Sequence, residues 1–154
     1  DHQLLNHSDK DVRLITACIL ADILRIFAPE APYVSEHLLE IFSLFVKQLH
    51  GLSTDFRAEA NTGGTRCAYI LESLATVNSC IILTELMQQG HHGAEDITNE
   101  LCECLLSSIR PEHPKSVQSH ALNVLTVCLD EPEIIPTSLL DTILVFLLPA
   151  SKKE

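Results

Sequence analysis

Eight histidines and six cysteines are the residues with the most chemistry to offer in this 154-residue chain. Cys18, Cys67, Cys80, Cys102, Cys104 and Cys128 could ligate metal or act as nucleophiles if they were paired at ligand spacing or set beside a base. No CxxC occurs, and Cys102 and Cys104, two apart, point to different faces of a helix. All six lie within apolar helical runs, which predicts reduced, buried thiols in a reducing compartment. His91 and His92 stand together in a glycine-flanked turn open to solvent, while His37, His50 and His120 lie singly on helices. There is no HExxH, so no metal site is expected. Ser, His and Asp occur together only by composition. GxSxG, Walker A and GxGxxG are absent, and Gly63-Gly64 lacks the lysine that a phosphate cradle needs. These absences predict a chain without cofactor or catalytic centre.

Binding chemistry has one candidate. Ala28-Pro29-Glu30-Ala31-Pro32-Tyr33 joins two apolar helical runs. Its prolines make it stiff, so little entropy is lost when something docks there. Glu30 gives its rim a negative charge suited to arginine or lysine. The same residues also suit a plain stop between helices, with Tyr33 as a staple.

The elements that must hold this corner repeat. Ser8-Asp9-Lys10-Asp11-Val12-Arg13-Leu14 and His113-Pro114-Lys115-Ser116-Val117-Gln118 both open helices, and Gly63-Gly64-Thr65-Arg66-Cys67 is a degenerate copy. Aligning Val12, Thr65 and Val117 gives spacings of 53 and 52 residues. A period of this size marks stacked helix pairs, which usually serve as docking surfaces. In the first copy Asp9 can cap, Val12 packs, and Arg13 can ladder against acids of an adjacent repeat.

The pattern predicts about seven helices and no strand. The first spans 9–27, capped by Ser8 or Asp9, and is apolar most of the way round, so several sides should be buried. The second runs from a Ser35 cap to about Gly51, with Glu36, Glu40, Ser43 and Lys47 as its wet stripe. Residues 52–64 read as a loop ending in the two glycines. Helices follow over 65–77 and 79–89, over 97–109 behind an Asp96 cap, from the Arg110–Pro114 break to Leu129, and from Thr137 or Ser138 to Pro149. Their order is inner, outer, inner, extra, outer, inner, outer.

Composition agrees. The chain is 46% hydrophobic with no tryptophan, so its core is Leu, Ile, Val, Ala and Cys. A net charge of −11 repels phosphate backbones, which excludes strong direct DNA binding and favours basic peptides as partners. No signal peptide or run of membrane-spanning length is present. The chain lacks an initial Met and opens on the tail of a loop, as a piece of a longer array would.

The run Lys10-Asp11-Val12-Arg13-Leu14 through Cys18-Ile19-Leu20-Ala21-Asp22-Ile23-Leu24-Arg25-Ile26-Phe27-Ala28-Pro29-Glu30-Ala31-Pro32-Tyr33 resembles the HEAT-repeat cohesin regulators named for precocious dissociation of sister chromatids. Ile41-Phe42, Gln48-Leu49-His50-Gly51-Leu52, Tyr69-Ile70-Leu71-Glu72-Ser73-Leu74-Ala75 and Leu147-Leu148-Pro149-Ala150 extend the likeness. The resemblance implies an all-α HEAT-repeat superhelix over residues 1–154, cut from the N-terminal part of a chromatin-bound nuclear scaffold. It implies the kleisin subunit of cohesin as a partner, with the releasing factor Wapl and its antagonist sororin docking short motifs on the N-terminal repeats. The family's Ala-Pro-Asp-Ala motif falls on Ala28, Pro29, Glu30 and Ala31, with glutamate in the acidic place. Ala28, Pro29, Glu30, Ala31, Pro32 and Tyr33 are thus the expected partner-binding residues, with Tyr69 and Glu72 of the next inner helix lining the same groove. A HEAT or armadillo adaptor of nuclear transport is the alternative, although such receptors use tryptophan arrays; a helical hydrolase is a third.

Overall fold

The computed structural model describes residues 2–53 and 62–148. Among them are eight α-helices and one 3-10 turn, with no strand. They are α1 (His2–Leu5), α2 (Lys10–Phe27), α3 (Ser35–Leu49), α4 (Thr62–Thr76), α5 (Cys80–Gln88), α6 (Ala94–Ser108), α7 (Lys115–Asp130) and α8 (Thr137–Leu147). The 3-10 turn, His50–Ser53, continues α3.

The helices form two rows. In one, α2 packs on α4 and α4 on α7; in the other, α3 packs on α6 and α6 on α8. This is a HEAT-type solenoid segment, with α5 outside both rows, wedged against α6, α7 and α3. The expected inner and outer order is the observed one. Val12 and Val117 are each third in their helices and Thr65 is fourth, so the 52- to 53-residue period marks the start of every inner helix.

Local chemistry sets most boundaries. The Asp9 carboxylate accepts the Asp11 N–H at 2.8 Å and caps α2. Arg13 donates to the His7 and Ser8 carbonyls, tying down the approach to its own helix instead of laddering to another repeat. Gly90, at φ +76°, closes α5 with the paired carbonyl bonds of a left-handed C-terminal turn.

Several expectations fail. A short helix, α1, stands where a loop tail is expected, and it packs on α2 and α3. Helix α4 begins at Thr62, so both glycines of the anticipated loop lie in its first turn; residues 54–61 are outside the described range. Tertiary packing overrides the helix-breaking preference of glycine there. Val34, not Ser35, is the N-cap of α3, and it makes no side-chain cap bond. Gly93 is the N-cap of α6, so Asp96 falls in the first turn, where its charge still suits the helix dipole. On α2 only the stripe Leu14, Ala17, Ala21 and Leu24 is buried, while Ile15 and Ile19 are about half exposed. Among the described residues, only the short α1 lies near that side of α2.

One long-range tie crosses the stack. His113 is buried, and its Nδ1 accepts the Arg110 N–H at 2.8 Å. The proton is therefore on Nε2, which donates to the Leu52 carbonyl at 2.8 Å, 61 residues away. Gln118 braces the same connection by donating to the Pro111 and His113 carbonyls. Beside it, Gly51 touches α4 so closely that an added Cβ would lie 2.6 Å from Cys67 Sγ. The Cys67 thiol itself donates to the Gln48 carbonyl at 3.0 Å. Replacing Gly51 with Ala should therefore overpack the junction and cost about 1–3 kcal/mol in urea unfolding. Adding Cys67→Ala should recover part of that loss, since it removes the sulfur the new methyl meets.

Candidate peptide-docking site

The corner between α2 and α3 forms because each proline stops a helix. Ala28, before Pro29, is driven to extended geometry, φ −52° and ψ 143°. Its peptide bond to Pro29 is cis. Pro29, Glu30 and Pro32 stand exposed, whereas Ala31 and Tyr33 are half-buried and pack on the core.

Two openings flank this corner. A groove of about 210 Å³ lies between α1, α2 and α3, with walls of Leu4, Leu5, Ile19, Leu20 and Tyr33 and with His37 and Glu40 on α3. A cleft of about 520 Å³ lies between the corner, α3 and α5, and Pro29, Glu30 and Ala31 form one side of it. Tyr33 and Glu30 therefore serve different openings, although they are three residues apart.

Tyr69 and Glu72 line neither opening. The Tyr69 hydroxyl donates to Asp22 Oδ1 at 2.5 Å, and Arg25 donates to the same oxygen at 3.0 Å. The Arg25 guanidinium also stands 6.0 Å from the Tyr69 ring centroid, within cation–π range. These three side chains clip α2 to α4 at the surface. Glu72, one turn further along α4, is exposed. Asp22 is absent from the sequence-level candidates. Its spacing from Arg25 signals an ion pair, but only the packing of α2 on α4 brings Tyr69 to it.

The cysteines are built into the core. None is in a disulfide, five are buried and Cys18 is half-buried. Burial pushes the Cys67 and Cys104 thiols up to about 11. Cys102 is raised first by its hydrogen bond with Cys128 and then by burial. Neutral thiols of this kind are poor nucleophiles. Among the described residues, no group of three His, Cys, Asp or Glu side chains is placed to hold a metal ion.

The fold is that of an α-solenoid segment, with a stiff acidic corner between its first two long helices. The sequence pattern of the family described as "Sister chromatid cohesion protein PDS5 protein" matches residues 1–154, and the chain belongs to that family. It is 40% identical over 149 residues to the chicken sister chromatid cohesion protein PDS5 homolog B, covering 96% of this chain and 10% of that protein. It is 42% identical to zebrafish PDS5 homolog A, covering 96% of this chain and 11% of that one. The chain thus spans about a tenth of the length of these relatives. A chain in the solved structure of the Pds5–Scc1 complex superposes with a TM-score of 0.76 at 26% identity, over 100% of this chain and 21% of that one.

The hydrogen bond to the Asp22 carboxylate, followed by desolvation, raises the Tyr69 phenol above its ordinary value. A raised folded value means the bond supports the fold below about pH 10 and is lost as pH climbs through the Tyr69 transition. In an absorbance titration, the step that disappears in Tyr69→Phe should therefore fall above about pH 10. A step at or below that value would show that the clip is not formed in solution.

Proposed function

We propose that this chain is the peptide-docking part of a cohesin-associated scaffold that regulates sister chromatid cohesion. Its work is non-enzymatic. The corner at Ala28–Tyr33 captures short motifs of Wapl-type releasing factors and of sororin-type protectors, and so couples cohesin to either fate. The intact scaffold binds the kleisin subunit and works on chromatin in the nucleus. Membership of the family and the likeness to a chain of the Pds5–Scc1 complex support the cohesin assignment.

The observation that carries the docking role is the exposed, proline-stiffened turn with an opening on each side. A motif crossing it meets preformed apolar walls and an acidic rim, so little ordering cost is added on binding. The net charge of −11 steers basic segments toward this surface. Tyr69 and Glu72 extend the docking edge along the inner row, as a secondary contact.

The test is a fluorescence-polarisation titration of the folded chain with Wapl-type and sororin-type peptides. Pro29→Lys puts a cation on the rim and should weaken both by about tenfold or more, with an unchanged circular dichroism spectrum. Equal affinity in the folded variant removes the corner as the site. In a pulldown, cohesin subunits are the expected catch; a Ran-type protein instead would point to a transport adaptor.

A further inference from the structure

The run that opens α2 carries chemistry that neither its cap nor the docking corner uses. Ser8 stands exposed in the link between α1 and α2, and Asp9, Lys10 and Asp11 after it are exposed too. Among the described residues, the Ser8 hydroxyl has no hydrogen-bond partner. In the whole sequence, Ser8 alone of the serines and threonines has a carboxylate both one and three places after it. Ser35, Thr54 and Thr84 have an acid at the first place only, and Ser138 and Ser151 at the third only.

The surroundings suit a phosphoryl group on that hydroxyl. Arg13, in α2, folds its guanidinium back onto the link, where it donates to the Ser8 carbonyl at 2.9 Å and to the His7 carbonyl. Among the described residues, no carboxylate forms an ion pair with it. A cation is thus already held beside Ser8 while no acid neutralises it. The segment is also easy to open. Asp9 is the N-cap, and Lys10 and Asp11 belong to the first turn, where helix ends fray. The buried stripe of α2 begins only at Leu14, so extending residues 6–11 leaves it in place.

We propose that Ser8 is a phosphorylation site for an acid-directed serine/threonine kinase, and that Arg13 receives the phosphate. Kinases of this class hold their substrates through basic side chains, which pair with Asp9 and Asp11. The γ-phosphoryl group of ATP passes to Ser8. Its bond to the bridging oxygen of ADP breaks, the Oγ–P bond forms, and the hydroxyl proton leaves. The product carries a charge of about −2 and three strong acceptor oxygens. Arg13 then exchanges two neutral carbonyls for an anion that its planar fork engages bidentately. Asp9 and Asp11 repel the new charge, so Arg13 is the group that offsets it. The link between α1 and α2 is thereby drawn onto α2 by a charge that a kinase adds and a phosphatase removes.

The experiment treats the folded 154-residue chain with ATP and casein kinase 2, an acid-directed kinase, and maps the product by mass spectrometry of its peptides. One phosphoryl group on Ser8 is expected, and Ser8→Ala should abolish it. The double change Asp9→Asn, Asp11→Asn keeps a good capping residue before α2 and should slow the transfer about tenfold or more. No transfer to the folded chain, transfer to another residue, or an unchanged rate in the double variant would overturn the assignment. Phosphorus NMR then reads Arg13. The second ionisation of phosphoserine, ordinarily at about pH 6, should move up in Arg13→Gln, because a cation that favours the dianion is gone. Glutamine still offers an amide to the carbonyls of the link. A titration that does not move would overturn the role given to Arg13.

Discussion

The packing of α2 on α4 is the contact on which the placement of everything else depends. The buried stripe of α2 has Ala17 and Ala21 at its middle, both at or near zero exposure, between Leu14 and Leu24. Small side chains there let two helices approach without displacing larger neighbours, and the stripe is extended by Cys67, Ile70, Leu71, Leu74 and Ala75 on α4. The same row continues to α7 through Val117, Ala121 and Val124. With α2 fixed on α4, the end of α2 is fixed too, and with it the direction in which the proline corner projects. Asp22, Arg25 and Tyr69 fasten the wet edge of that contact, but exposed polar groups of this kind add little free energy compared with the buried stripe.

Much of this was legible in the chain because the signals are local. The period through Val12, Thr65 and Val117 marks the inner helices, Glu36 and Lys47 among apolar residues mark the exposed side of α3, although Glu40 of the same stripe turns into the groove beside α1 and α2, and Pro29 and Pro32 mark the corner. Where the reading failed, distant packing decided. Gly63 and Gly64 are helical because α4 is held by α2 and α7, something their own preferences oppose. His113 looks like one more loop histidine until Leu52 is brought to it from 61 positions away. The anticipated site kept its core, Ala28 to Tyr33, yet the structure divides it. Tyr33 turns toward α1 and α2, Glu30 toward α5, and Tyr69 toward Asp22. Nothing in a linear pattern says which side of a corner a residue faces, because that follows from how the flanking helices cross.

The six cysteines illustrate the same distinction between residue type and role. Thiols are reactive chemistry in principle, but burial raises Cys67 and Cys104 and so keeps them protonated, and the buried cysteines act as small apolar fillers. Cys67 shows how tight the filling is, sitting between the Gln48 carbonyl and Gly51. The chain puts its polar chemistry in turns and on the rims of openings, and reserves its interior for shape.

The two extremities of the stack are unlike. At one, Ile15 and Ile19 of α2 lie open; at the other, Leu140, Leu144, Val145 and Leu147 of α8 do. A twofold dimer pairs a surface with itself, so it could cover only one of these faces and would leave its mate bare in both copies. Head-to-tail contact covers both but has no geometric reason to close, and grows into an open filament. The strongly negative charge opposes such growth, through a repulsion that added salt screens. Added salt therefore lowers the electrostatic barrier to any such end-to-end contact between separate copies of this segment.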